Sequence, residues 1–517
     1  MVQTLRVTLP RRLWPLAVIL FLAVVVRLPL VDLEFGRNGD GTGSFYGMIA
    51  RNYLLRDNLP TLWVPVLSIG DANHLPTLYA HHPPTVPLLT ALSMRVFGDT
   101  DFAVRLPATF FTLATVVLLY LLVLSRSGPL AAATAAAVFA FVPFTLRFGQ
   151  MPDVVNSQLA FAALLTLGAY LHWLAAPSRG RAALVLLAFV AAGLTDWPAF
   201  FLVPVIGAHL LVARPRGYLT FGVALAAASA LLFCALYLWV SVATGDWQLI
   251  LRQFLNRATQ AKTDDARVFS YATWFSGVWA YHRVLFTPTL MVLGLVGVVV
   301  AAVSRERSRG IGLLVLLAMG WAVVHAVVGR QGTLNHDWWW WPLAPALALA
   351  VAALVDSIAN RFPRRAVTAV LATAVLALCT YFIAIELPLL RSPAWVHGAI
   401  PEYTPNQLGA VIRAHTPPNR AAMLFETDPQ PYAYYNADRP LIQAVWDIPT
   451  FHTRFTGTRA DLFYNFDQAL PQPPTTFIFP KQYADKGLPL LQYLHDHHPV
   501  TDTPQFYVFD LTRPAAR

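Results

Sequence analysis

Charge and cysteine are what this chain has least of. Of its 517 residues only 12% are Asp, Glu, Lys or Arg, while 56% are hydrophobic. Soluble domains carry about 25% charged residues, so an ordinary soluble enzyme is excluded. The two cysteines, Cys234 and Cys379, each lie inside an apolar run, so neither a disulfide framework nor a cysteine-based metal site is expected. The apolar run near the N-terminus has a basic start and no small-residue cleavage site, which reads as a retained first helix and not a cleaved signal. Internal repeats and low-complexity tracts are also missing. A formal charge of +10 would suit nucleic acid, but the positions of the charges point elsewhere.

Long apolar runs are what the chain has instead. A bilayer core needs about 20 apolar residues per helix. Runs that meet or approach this lie at roughly 13–31, 106–124, 129–148, 154–175, 182–195, 197–213, 218–243, 284–303, 310–329, 338–356 and 366–387. Alternate connections carry Arg6, Arg11 and Arg12; Arg126; Arg179 and Arg181; Arg214 and Arg216; Arg305, Arg307 and Arg309; and Arg361, Arg364 and Arg365. By the positive-inside rule these loops are cytoplasmic. About eleven spans then place the C-terminus outside, together with the loops that hold Asp40, Asp153, Asp196 and Asp337. The fold class is a polytopic α-helical membrane protein, multi-pass in the cytoplasmic (inner) membrane.

Two stretches resemble spans but fit interfacial helices better. Residues 84–98 are short and carry Arg95, and SFYGMIARNYLLRD has helical spacing beside Arg51 and Arg56. Both belong to the first external loop. In a second external loop, DWQLILRQFLNRATQAK has amphipathic spacing and is expected along the surface. The expected domains are a transmembrane part, 1–387, and a small extracytoplasmic α/β part, 388–517, in which long apolar runs disappear. There AAMLFET, PLIQAV, TTFIFP and QFYVFDL read as strands, and NQLGAVIRAHT and LPLLQYLHDHH as helices.

The first loop carries, in order, Asp40 ahead of FYGMIARNYL, then YAHHPPTVPLL, then VFGDTDFAVRLP. This order and spacing resemble the first external loop of C-type membrane glycosyltransferases. The closer similarity is to the protein mannosyltransferase and lipid A aminoarabinose transferase group, which takes sugars from polyprenyl-phosphate carriers. The resemblance covers the membrane part. It implies an inverting glycosyltransferase acting on the extracytoplasmic side, with a lipid-linked sugar donor and a glycan, lipid or protein acceptor.

Transfer with inversion needs one carboxylate to take the acceptor's proton, and the phosphate already leaves well. In the family an Asp, usually followed by Glu, opens this loop and supplies that base, which points to Asp40. Alignment on Tyr46 and Ile49-Ala50-Arg51 places the family's acidic pair at Thr42 and Gly43 instead. Gly39, Gly41 and Gly43 are expected to form a turn that absorbs the offset. Read blandly, Asp40 only occupies that turn. Asp153, in RFGQMPDVVNSQLAF, precedes a helix where family members often carry an acid. It would hold a divalent metal, orient the acceptor or act as base; its bland reading is a carboxylate at a helix N-terminus.

His81 and His82 before Pro83-Pro84 resemble the family's H-P-P or K-P-P element. A helix starting there would aim free backbone N–H groups and a histidine at a lipid phosphate. Arg51 and Arg105 would clamp the same phosphate, or else snorkel to water, the plainer reading for Arg105. Tyr46 lies in the same loop and is a candidate substrate contact. His336 and Asp337 precede Trp338 to Trp341, read mainly as an interfacial aromatic belt. The resemblance adds His336 to the site, with Asp337 beside it as a candidate substrate contact; Asp153 and His336 are the candidate metal ligands. Asp196, in TDWP, reads as structural. The C-terminal domain is expected to recognise the acceptor and to supply no catalytic group. The rival readings are a membrane transporter and a non-catalytic envelope assembly protein on the same scaffold. Transporters usually place charges near the middle of spans and show inverted repeats, neither of which is visible here.

Overall fold

The computed structural model describes residues 2–35, 40–69, 76–153, 155–259, 270–303, 311–391, 402–425, 431–457, 459–461, 467–470 and 472–515. Up to residue 391 most of the described residues are helical, the main exceptions being 56–69 and 76–84. In order come α1 (Val2–Val31), α2 (Asp40–Leu55), α3 (Thr85–Phe97), α4 (Asp101–Leu124), α5 (Pro129–Phe141), α6 (Pro143–Phe148), α7 (Ser157–Ala175) and α8 (Arg179–Thr195). A 3-10 turn, Trp197–Phe201, leads into α9 (Leu202–Ala213) and α10 (Tyr218–Thr244). The rest are α11 (Leu249–Thr259), α12 (Tyr271–Leu285), α13 (Pro288–Val303), α14 (Gly312–Val328), α15 (Arg330–Asn335), α16 (Leu343–Arg361) and α17 (Arg365–Arg391). Two compact units form. The first joins Met1–Val31, His81–Val86 and Arg105–Arg391; the second joins Asp32–Ala80, Pro87–Val104 and Ser392–Arg517.

The described residues of the eleven apolar runs are mostly helical. Among the described residues, six helices are long and apolar enough to cross a bilayer, or seven when one bent pair counts as a span. Eleven crossings therefore remains an expectation. The bent pair is α12 and α13, which turn by 102°. Thr287 takes a left-handed φ of 59° at the corner, its hydroxyl accepts the N–H of Leu290, and Pro288 opens the new helix. The run read as 284–303 thus begins in α12 and crosses this corner.

In the first unit, a break between α5 and α6 is explained by Pro143, which has no N–H to give the Phe139 carbonyl. The hydroxyl of Thr145 takes that carbonyl instead. Fully buried Arg27 of α1 donates to the neighbouring Ala140 carbonyl at 2.6 Å. The arginine charge is thereby spent on backbone carbonyls beside the break. Close packing of α13 on α16 depends on glycine. A Cβ at Gly297 would lie 2.0 Å from the Ala350 carbonyl oxygen, and one at Gly294 would lie 2.4 Å from Leu347. Small residues let helix backbones approach this way in membrane proteins.

The second unit contains the C-terminal sheet. Its elements are α18 (Pro405–His415), β1 (Ala422–Phe425), α19 (Pro431–Ala437), β2 (Leu441–Val445), α20 (Ile448–Phe455), β3 (Arg459–Asp461), β4 (Asp467–Ala469), β5 (Thr476–Pro480), α21 (Leu488–His497), β6 (Val500–Asp502) and β7 (Phe506–Asp510). The seven strands run β4-β3-β2-β1-β5-β7-β6, with β1 parallel to β2 and to β5 and the outer pairs antiparallel. Alternating apolar residues, among them Met423, Phe425, Phe477, Phe479 and Phe509, bury one face against Leu490 and Leu494 of α21. All four expected strands and both expected helices are present. First-loop segments belong to the same unit. The Gln468 side chain pairs with both backbone groups of Ile69, at 2.8 and 2.7 Å.

Candidate active site

In the first unit the His81-His82-Pro83-Pro84 element is held by the connection between α8 and the 3-10 turn. Three hydrogen bonds fix it. His82 Nδ1 meets Asp196 Oδ1 at 2.7 Å, the Trp197 indole N–H donates to the His81 carbonyl at 2.7 Å, and the Thr85 hydroxyl donates to the Leu194 carbonyl at 2.6 Å. The helix start expected after the prolines is present, since α3 begins at Thr85. Asp196, read from sequence as structural, is the direct partner of His82.

Two further elements bring groups to the same place. Gln253 and Arg257 are four residues apart on α11 and so share one face. Gln253 Nε2 lies 3.1 Å from His81 Nε2. Arg257 donates to Gln331 Oε1 at 2.7 Å, lies 3.5 Å from His336 Nε2, and stacks 5.0 Å from the Trp339 ring centre. Burial, helped by the charges of Arg257 and His82, pushes His336 down to about 3. Burial and then His82 and Arg257 push His81 down to about 3 as well. Both rings are therefore neutral near pH 7, beside a fixed guanidinium. Arg257 escaped the sequence reading; the amphipathic spacing of DWQLILRQFLNRATQAK was its only signal.

Asp153 is buried and forms no part of the helix that follows. The N-cap of α7 is Asn156, whose side chain accepts the N–H groups of Gln158 and Leu159, so Asp153 lies three residues ahead of the cap and is not the capping residue. Asp337 opens the 3-10 turn Asp337–Trp340 and feels the charge of Arg147. Arg147 itself forms a two-bond pair with Glu386 of α17 at 2.6 and 3.0 Å. Among the described residues, no three His, Cys, Asp or Glu side chains converge on a metal cradle.

The tryptophan run also departs from expectation. Trp339, Trp340 and Trp341 are buried in protein: Trp341 packs edge-on against Phe144 with ring centres 5.2 Å apart, and Trp340 against His282 at 4.2 Å. A 3-10 turn followed by a helix winds the rings inward, where an exposed belt would have faced lipid headgroups.

Residues of the second unit are placed differently again. Asp40 is the first residue of α2; its side chain lies outside the described residues. Gly41 and Gly43 are helical, so the Gly-rich turn expected to absorb the register offset is a helical turn. Gly43 serves packing, because a Cβ there would meet the Phe35 ring at 2.6 Å. Tyr46 is buried in α2, 6.3 Å from the Tyr79 ring. Arg51 donates to Asp99 Oδ2 at 2.6 Å and to the Tyr435 carbonyl at 2.9 Å, and lies 3.4 Å from Asp438. Burial opposes its charge, but Asp99 and Asp438 outweigh that and raise its pKa. Its guanidinium ties the first loop to α19. Arg105, in the first unit, is buried and donates to the Val31 carbonyl at the end of α1 at 3.3 Å. It caps a helix C-terminus and does not snorkel.

The crystal structure of ArnT from Cupriavidus metallidurans bound to undecaprenyl phosphate superposes with a TM-score of 0.62. The two share 15% identity over 95% of this chain and 97% of that one. The chain has the fold of the C-type membrane glycosyltransferases. ArnT in the apo state gives 0.61 at 13% identity over 95% and 97%. The archaeal oligosaccharyltransferase AglB from Archaeoglobus fulgidus, in complex with an inhibitory peptide and a dolichol-phosphate, gives 0.55 at 14% identity over 96% and 74%. The sequence profile of the dolichyl-phosphate-mannose-protein mannosyltransferases matches residues 81–240, from His81 into α10. No curated protein sequence matches the chain. The expected resemblance and the multi-pass membrane fold both hold.

Proposed function

We propose that the protein is an inverting glycosyltransferase that moves a sugar from a polyprenyl-phosphate carrier to an acceptor on the extracytoplasmic side of the membrane. The observation that carries this reading is the convergence of His82, Arg257, His81 and His336 at the element where the mannosyltransferase profile begins. A fixed guanidinium and imidazoles suit a lipid phosphate. ArnT, which shares the fold, was crystallised with undecaprenyl phosphate. The arginine loops favour an external site. The transmembrane part, 1–387, carries the phosphate site, and the acceptor is a glycan, a lipid or a protein.

In the reaction the acceptor hydroxyl attacks the anomeric carbon as the bond from that carbon to the phosphate oxygen breaks. The hydroxyl proton passes to the base, assigned to Asp40. The bonding electron pair stays with the departing polyprenyl phosphate, whose added charge falls to Arg257 and His82. Fixed donors in a dry site contribute a large share of such catalysis, about a hundredfold or more each. Asp153, buried and outside its helix, is assigned to orienting the acceptor. Purified protein in proteoliposomes, given radiolabelled polyprenyl-phosphate mannose or aminoarabinose with candidate acceptors, should yield a product of inverted anomeric configuration. A retained configuration would overturn the single displacement.

A further inference from the structure

An aspartate at the start of a helical turn ordinarily accepts a backbone N–H as an N-cap. Asp196 occupies that position before the 3-10 turn Trp197–Phe201, yet its side chain makes no capping bond. It is wholly buried, its Oδ1 is 2.7 Å from His82 Nδ1, and among the described residues its Oδ2 has no hydrogen-bond partner. A buried carboxylate is costly to keep unless a partner compensates it. The capping role that would explain the residue structurally is the one it does not perform.

We propose that Asp196 is a positioning residue for His82. It accepts the Nδ1–H of His82 and so fixes the orientation of the ring, with Nε2 facing the lipid phosphate, to which the ring donates when it carries its second proton. A carboxylate at one imidazole nitrogen orients the ring in this way. The surrounding charges single out His82 among the nearby histidines. His81 and His336 lie beside Arg257 and interact with His82, and burial keeps both neutral. His325 of α14, which also interacts with Asp196, has its Nε2 at 2.9 Å from the Trp339 carbonyl. The direct hydrogen bond of Asp196 is to His82. The backbone bonds from Trp197 and Thr85 to the same segment keep the pair in register.

This inference rests on the carrier-phosphate reading, and the test separates the two. Binding of undecaprenyl phosphate is measured in lipid nanodiscs for the full-length wild type, Asp196→Asn, His82→Ala and the double variant. In parallel, ¹⁵N spectra of histidine-labelled protein report the state of both His82 ring nitrogens, their signals assigned by disappearance in His82→Asn. Asp196→Asn should weaken binding by about tenfold and shift the His82 ring signals, and the double variant should bind no worse than His82→Ala alone. Additive losses, or His82 ring signals unchanged in Asp196→Asn, would overturn the role of Asp196. Failure of the wild type to bind undecaprenyl phosphate would instead overturn the carrier reading on which it depends. Asp196→Glu gives the control for misfolding, since it should recover part of the binding.

Discussion

Arg147 and Glu386 make the most demanding test of how the helical unit is held together. Their two hydrogen bonds, at 2.6 and 3.0 Å, join α6 to α17 with side chains 8% and 1% exposed. Removing one partner of a buried pair leaves an uncompensated charge and costs about 3–5 kcal/mol. Asp337, which also interacts with Arg147, offsets part of that, so Glu386→Gln should fall near about 3 kcal/mol. Arg147→Met with Glu386→Leu removes both charges and should return most of the loss. Cys379 supplies the assay. It is buried on α17, two turns before Glu386, while Cys234 is exposed. In a Cys234→Ser background, labelling of Cys379 by a fluorogenic maleimide during a thermal ramp reports when α17 comes away. The single variant should label several degrees earlier than its parent, and the double variant close to it. Equal labelling temperatures for Glu386→Gln and its parent would refute the assigned contribution.

Three further outcomes follow from particular residues. Reporter fusions at Arg309 and at the C-terminus should report opposite sides of the membrane; the same side for both would remove the external placement of the site. Gly297→Leu should separate α13 from α16 and lower the yield of folded protein, because even a Cβ there lies 2.0 Å from a backbone oxygen; normal thermal stability would contradict that packing. His81 is depressed by burial to about 3. Below about pH 6.5 the unfolded chain therefore takes a proton that the folded chain refuses, so stability is full above that pH and declines as pH falls. His81→Gln should flatten the decline in unfolding midpoint between about pH 7.5 and 5, and a slope equal to wild type would count against the burial.

Much of the fold was legible because its signals are local. Uninterrupted apolar runs become helices, and β-branched and aromatic alternation in PLIQAV and QFYVFDL becomes β2 and β7. The site was less so, because its partners come from distant segments. Nothing near His82 in sequence announces Asp196, 114 positions away. Arg257 sits in a helix whose pattern speaks only of a surface. Arg51 matches a family position yet is neutralised by Asp99 and Asp438, the latter from the C-terminal segment. Its bond to the Tyr435 carbonyl bears on the C-terminal domain as well. A domain expected only to recognise an acceptor also supplies partners for α2, so its removal should disturb the first loop. The Gly41 and Gly43 turn failed because a helix can run back through glycine at about 1 kcal/mol per residue when neighbours pack against it.

The most direct test follows the carrier itself. Polyprenyl-phosphate sugar labelled with ³²P in the phosphate is incubated with proteoliposomes of the wild type or Asp40→Asn and with acceptor membranes. Glycosyl transfer predicts protein-dependent conversion of the carrier to free polyprenyl phosphate, slowed about a hundredfold or more in Asp40→Asn while carrier binding persists. A carrier that crosses the bilayer or stays bound with its sugar–phosphate bond intact would contradict the account.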